Sequence, residues 1–134
     1  DSSAVEVCRR MAQRGYVAAS LSYRLGWKPH ANDPDTLRGP WFNALYRAMH
    51  DLKEGIRVLK LNAAQYHGDL DKVIVCGEGI GGSIALAAAT LDDSTELYIP
   101  KLLPDASEPD TSFVDPWREG DLDGFNATYN LHPR

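Results

Sequence analysis

One stretch constrains the fold of this chain more than any other. The apolar run Val73-Ile74-Val75-Cys76 leads into Gly77-Glu78-Gly79-Ile80-Gly81-Gly82 and then into Ser83-Ile84-Ala85-Leu86-Ala87-Ala88-Ala89. A short β-branched run bounded by turn residues reads as a buried strand, and an Ala/Leu-rich run reads as a helix. The glycines between them let the backbone turn sharply and approach itself more closely than side chains permit. A strand over 72–76, a tight turn and a helix over 80–91 are therefore expected.

The preceding sequence supplies the same elements in alternation. Residues 1–14 carry Val5, Cys8 and Met11-Ala12 at helical spacing behind the capping residues Asp1, Ser2 and Ser3, and Gly15 is suited to stop the helix. The run 16–23 is short and mostly apolar, like a buried parallel strand. Residues 24–40 hold Gly, Pro, Asn and Asp and read as a loop. Over 41–66, Phe42, Leu45, Tyr46, Met49, Leu52, Ile56, Leu59 and Ala63 recur at three or four and make one helix face. Gly55 interrupts it at a cost of about 1 kcal/mol relative to Ala and offers a place for close approach. Residues 92–134 are acidic, hold most of the prolines and show no periodicity. The expected architecture is α/β, two parallel strands with flanking helices over 1–91, followed by an irregular lid-like or partner-ordered tail over 92–134.

Composition sets outer limits. A chain of 134 residues fits one domain, and 43% hydrophobic with 25% charged residues is ordinary for a globular protein. A net charge of −5 disfavours a nucleic-acid partner, because neutralising phosphates needs clustered Lys and Arg. No run is long and apolar enough to span a membrane. Cys8 and Cys76, far apart in sequence, are read as unpaired core residues.

The alternation and several local runs resemble the middle of an α/β-hydrolase of the carboxylesterase or lipase-like kind. Arg14-Gly15-Tyr16-Val17-Ala18-Ala19 and Ser22-Tyr23-Arg24-Leu25-Gly26 resemble the strand that follows the oxyanion loop in that family. Ala44-Leu45-Tyr46-Arg47-Ala48-Met49-His50-Asp51-Leu52 and Asn62-Ala63-Ala64-Gln65-Tyr66 resemble the helix that feeds the nucleophile elbow. The turn at 77–82 is similar to the elbow pattern G-E-S-A-G-G, a form of G-x-S-x-G. The resemblance covers about residues 4–91. It implies Gly77, Glu78, Gly81 and Gly82 as elbow residues, Gly79 as the degenerate nucleophile position and the Ile80 backbone N–H as an oxyanion donor. It also leans towards an extracellular or periplasmic location. No cofactor and no metal are implied.

Three departures weigh against the implied activity. Glycine at position 79 has no oxygen and cannot form an acyl-enzyme. The glycine-rich oxyanion loop would lie upstream of the first residue, and the family's acid and histidine follow strands for which no counterpart is visible. The resemblance further places a strand between 16–23 and 72–76. Its slot needs an occupant, because each buried unpaired backbone group costs about 1–3 kcal/mol. Another chain, a swapped segment or the remainder of a parent polypeptide would fill it. Alternatively the two runs pair directly in a right-handed β-α-β unit.

Other candidates have plain readings. Ser83 lies a turn beyond the elbow and reads as a packing residue. His132 reads as a terminal histidine, and His30, His50 and His67, without metal-ligand spacing, as loop and helix-surface residues. Gly120-Asp121-Leu122-Asp123-Gly124 hints at a calcium loop but lacks the full ligand pattern, and reads as an acidic turn. Trp27, Trp41 and Trp117 read as packing residues. Three functions compete: a catalytically silent or incomplete hydrolase segment, a non-catalytic assembly protein on the same scaffold, and a small-molecule binder using the old ester pocket.

Overall fold

The computed structural model describes residues 2–24, 34–69, 71–98 and 112–114. Helix α1 spans Ser2–Ala12, α2 Pro34–Leu61, α3 Ala63–Tyr66 and α4 Ile80–Thr90, and a 3-10 helix spans Ser94–Tyr98. Helix α1 ends where Gly15 takes φ 88°. There the Gly15 N–H donates to the Ala12 carbonyl at 3.0 Å and the Tyr16 N–H to the Met11 carbonyl at 3.2 Å. This paired closure satisfies carbonyls the helix leaves open, and it favours glycine at the left-handed position. Val5, expected on the buried stripe of α1, is exposed.

Helix α2 begins earlier than its periodicity implies, at Pro34, inside the stretch read as a loop. Proline suits a first helical turn, where its missing N–H has no helical acceptor in any case. Pro40 lies farther inside the helix, where its missing donor leaves one backbone bond unmade. Of the residues expected on the 41–66 face, Tyr46 and Met49 are buried and Phe42 packs against them, while Leu45, Leu52, Ile56, Leu59 and Ala63 are half-buried outside the cluster. Tyr46, Met49, Leu97 and Val114 form one buried cluster, with Phe42, Ala87, Ala88 and Leu91 packed against it. Helix α4 lies along α2 as its principal helical neighbour. Leu97 and Val114 belong to residues 92–134, so part of that region seals the α2–α4 seam. Gly39 admits Phe113 to the same seam, since a Cβ there would meet its ring at 2.9 Å.

The α/β expectation is corrected by the structure. No strand or sheet occurs among the described residues. Residues 16–24 and 72–77 are extended, but neither pairs with the other in a ladder. Extended conformation follows locally from β-branched and aromatic residues, whereas a sheet needs a neighbouring strand in register, and neither segment has one among the described residues. Their apolar side chains are accordingly not buried: Ile74 is 68% exposed, and Val17, Leu21 and Val73 are exposed too. Cys76, expected inside, is also exposed, and both cysteines are free.

The first extended segment instead lies against α2 and runs antiparallel to it. Val17 sits at Gly68, Leu21 packs over Gly55, and Arg24 reaches Asp51 and the Arg47 carbonyl. A Cβ at Gly55 would lie 3.1 Å from Leu21 Cδ1, so the close approach offered by that glycine is used by a side chain, not a sheet.

Candidate functional site around the glycine turn

The turn at 77–82 is shaped by backbone contacts that only glycine tolerates. A Cβ on Gly77 would fall 2.2 Å from the carbonyl group of Gly81, and one on Gly82 would fall 3.2 Å from the Gly77 oxygen. Residue 77 therefore lies directly against the first turn of α4. The Gly81 N–H donates to the Glu78 carbonyl at 3.0 Å. The Gly79 carbonyl accepts from Gly82 at 3.1 Å and from Ser83 at 3.4 Å.

Gly79 caps α4 with φ 58° and ψ −123°. Side chains rarely adopt this backbone, and holding one there costs about 1–3 kcal/mol. A Cβ built on Gly79 meets nothing within 4 Å, so the position faces open space. The strain that a side chain would carry is absent, and so is the side chain.

Ile80 opens α4 and is exposed, and its amide donates to no described group. Glu78 and Ser83 are exposed as well. The Ser83 hydroxyl therefore sits on the outer surface of the helix rather than on the turn. The structure thus brings Gly77, Glu78, Gly79, Ile80, Gly81 and Gly82 into one exposed corner, with backbone donors but no side-chain nucleophile at its centre.

A base is not supplied to this corner by the described histidines. His67 caps α3 in the left-handed conformation, with φ 53°. Neither His67 nor His50 hydrogen-bonds a carboxylate among the described residues, so neither is oriented as a triad histidine would be. His30, His132, Trp27, Trp117 and the acidic run 120–124 lie outside the described residues. No group of three His, Cys, Asp or Glu suited to a metal occurs among the described residues. Trp41 packs edge-on against Phe42, with ring centroids 5.2 Å apart, as a packing residue does.

Several charged groups lie together away from the turn, around His50 and Asp51 of α2. His50, expected on the helix surface, turns its ring against Tyr46 with centroids 4.5 Å apart. Its Nε2 is buried without a hydrogen-bond partner. Burial, then the charges of Lys53, Arg24 and Arg57, hold the imidazole below its ordinary value, against a smaller opposing pull from Asp51. Burial alone pushes the Asp51 carboxyl up, but hydrogen bonds from the Arg24 side chain and backbone outweigh it and hold the group below its ordinary value. The sequence signal was available: position 50 is four beyond Tyr46, on the edge of the core face.

No helix among the described residues is long and apolar enough to cross a membrane. Comparison with curated proteins and with solved structures finds no match. Sequence-family comparison does, and its match spans both extended segments, the core helices and the glycine turn. The BD-FAE family model covers residues 1–113, and the chain belongs to that family of α/β-hydrolase-like esterase domains.

Proposed function

We propose that this chain is a carboxylesterase- or lipase-like hydrolase domain that is catalytically silent as it stands. One observation carries the reading: the residue at the head of the strained turn, where an attacking oxygen would sit, is Gly79. Acyl transfer begins with attack of a side-chain oxygen on the ester carbonyl after a histidine takes its proton. Glycine removes the attacking atom, and neither described histidine is paired with a carboxylate. The Ile80 amide keeps its place as an oxyanion donor, yet a donor without a nucleophile only holds an anion. Mixing the protein at micromolar concentration with an activated aryl ester should give no burst and no turnover above buffer. A burst approaching one equivalent would overturn the reading.

A second reading is favoured by the two extended segments. The backbone groups at 17–23 and 73–77 make no ladder among the described residues, and the flanking apolar side chains are exposed. Such edges invite pairing with a strand of another polypeptide. In this reading the scaffold serves assembly through these two segments. Light scattering at micromolar concentration would show a multimer, whereas a persistent monomer would count against it.

A further inference from the structure

The extended segment 72–77 carries a stripe of side chains that the described residues leave uncovered. Successive side chains of an extended segment point to opposite sides. Val73, Val75 and Gly77 share one side, where Val75 is half-buried and Gly77 stands against the first turn of α4. Lys72, Ile74, Cys76 and, just past the segment, Glu78 share the other, and all four are exposed. Ile74, at 68%, is the most exposed large apolar residue among those described. The backbone groups of 73–77 make no backbone hydrogen bond among the described residues. The Lys72 ammonium meets Asp69 of its own chain at 3.0 Å, and both side chains stay mostly in water.

The uncovered stripe reads cation, apolar, apolar, anion in the order Lys72, Ile74, Cys76, Glu78. Such an order complements itself when it is reversed. Two copies running antiparallel about a two-fold axis at Val75 set Lys72 of each across from Glu78 of the other, and Ile74 across from Cys76. On the opposite side Val75 meets Val75, and Val73 meets Gly77. The ladder ends at Gly77, because the Glu78 carbonyl already accepts the Gly81 N–H.

Neighbouring registers lose this match. An axis between Ile74 and Val75 puts Asp71 across from Glu78, carboxylate against carboxylate. An axis between Val75 and Cys76 puts Lys72 across from Gly79 and Glu78 across from Val73. A parallel pair in register sets Lys72 against Lys72 and Glu78 against Glu78. Opposite charges and apolar pairs directly across a ladder stabilise it, and like charges destabilise it. The other extended segment offers no such complement to itself. Residues 16–24 include no acidic side chain, and Arg24 at their end is tied to Asp51.

We infer that the 73–77 edge is a pairing site for a second copy of this chain, joined antiparallel about Val75 and locked in register by Lys72 and Glu78. The inference rests on the assembly reading above and narrows it to one partner, one segment and one register. A two-fold pairing of this kind uses the same edge on both copies, so it closes at the dimer. The ladder is short, so the pairing is reversible and responds to dilution.

Sedimentation of the full chain over a dilution series at low ionic strength tests this. The wild type should pass from monomer to dimer as concentration rises, with no larger species. Lys72→Glu and Glu78→Lys should each weaken the dimer about tenfold, since each replaces two opposite-charge pairs by two like-charge pairs. The double variant Lys72→Glu with Glu78→Lys should regain the wild-type dimer, and circular dichroism would check that the helices of every variant persist. A wild type that stays monomeric would overturn both this inference and the assembly reading. A multimer that ignores the single reversals, or that the double reversal does not restore, would overturn this inference and leave the assembly reading standing. If a variant fails to fold, amide exchange of the wild type decides. Protection at 73–77 should rise with concentration, and unchanged protection there would overturn the pairing.

Discussion

At the scale of single residues, the glycine turn separates two kinds of requirement. Gly77 is required by space: a Cβ there would overlap the Gly81 carbonyl group. Gly77→Ala should therefore lower stability by about 3 kcal/mol or more, because backbone cannot yield as a flexible side chain does. Chemical denaturation followed by helical circular dichroism would measure it. Gly79 is required by angle alone, since its surroundings are open. Gly79→Ser should fold, lose about 1–3 kcal/mol and remain without esterase activity, because neither described histidine is oriented by a carboxylate to activate the hydroxyl. The glycine pattern made this corner visible in the sequence. It did not distinguish the two requirements, which depend on where residues 81 and 82 fold back.

At the scale of elements, local signals were read well where they act locally. The stop at Gly15 is an example: the left-handed turn and its two hydrogen bonds follow from one glycine after an amphipathic run. Gly15→Ala should cost about 1 kcal/mol through the strained φ, and thermal melts of the two proteins would show it. The helix face was legible at Phe42, Tyr46 and Met49, whose spacing of three and four places them at the core. The start of α2 at Pro34 was not, since Pro, Asn and Asp serve loops and first helical turns alike. The strands failed for a different reason. The runs 16–23 and 72–76 carry the residues of buried strands, and they are extended, but a sheet is a property of neighbours. Burial at those positions cannot be inferred from one segment's own sequence.

At the scale of the whole molecule, the described residues form a tight seam between α2 and α4 and an exposed, unpaired pair of extended segments. Tyr46, Met49, Leu97 and Val114 close the seam, while Val17, Leu21, Val73 and Ile74 face solvent. Such edges are a liability that a folded protein covers. Native mass measurement over a dilution series should reveal association that charged substitutions at Val73 and Ile74 abolish, with α2 and α4 unaffected by circular dichroism. The resemblance to the α/β-hydrolase superfamily was legible from the turn and the runs around it, and the family match over residues 1–113 agrees at that level. The half-exposed ion pair of Asp51, beside His50, was not legible, because it depends on Arg24, which lies 27 residues away in sequence.

The central claim is that a hydrolase-like scaffold here presents an empty nucleophile position at Gly79. The most direct measurement is the intact mass of the protein after incubation with an excess of a fluorophosphonate, which phosphonylates activated serine hydroxyls. An unchanged mass is the predicted result. A single stoichiometric adduct, on Ser83 or any other residue, would show an activated nucleophile in this chain and contradict the account.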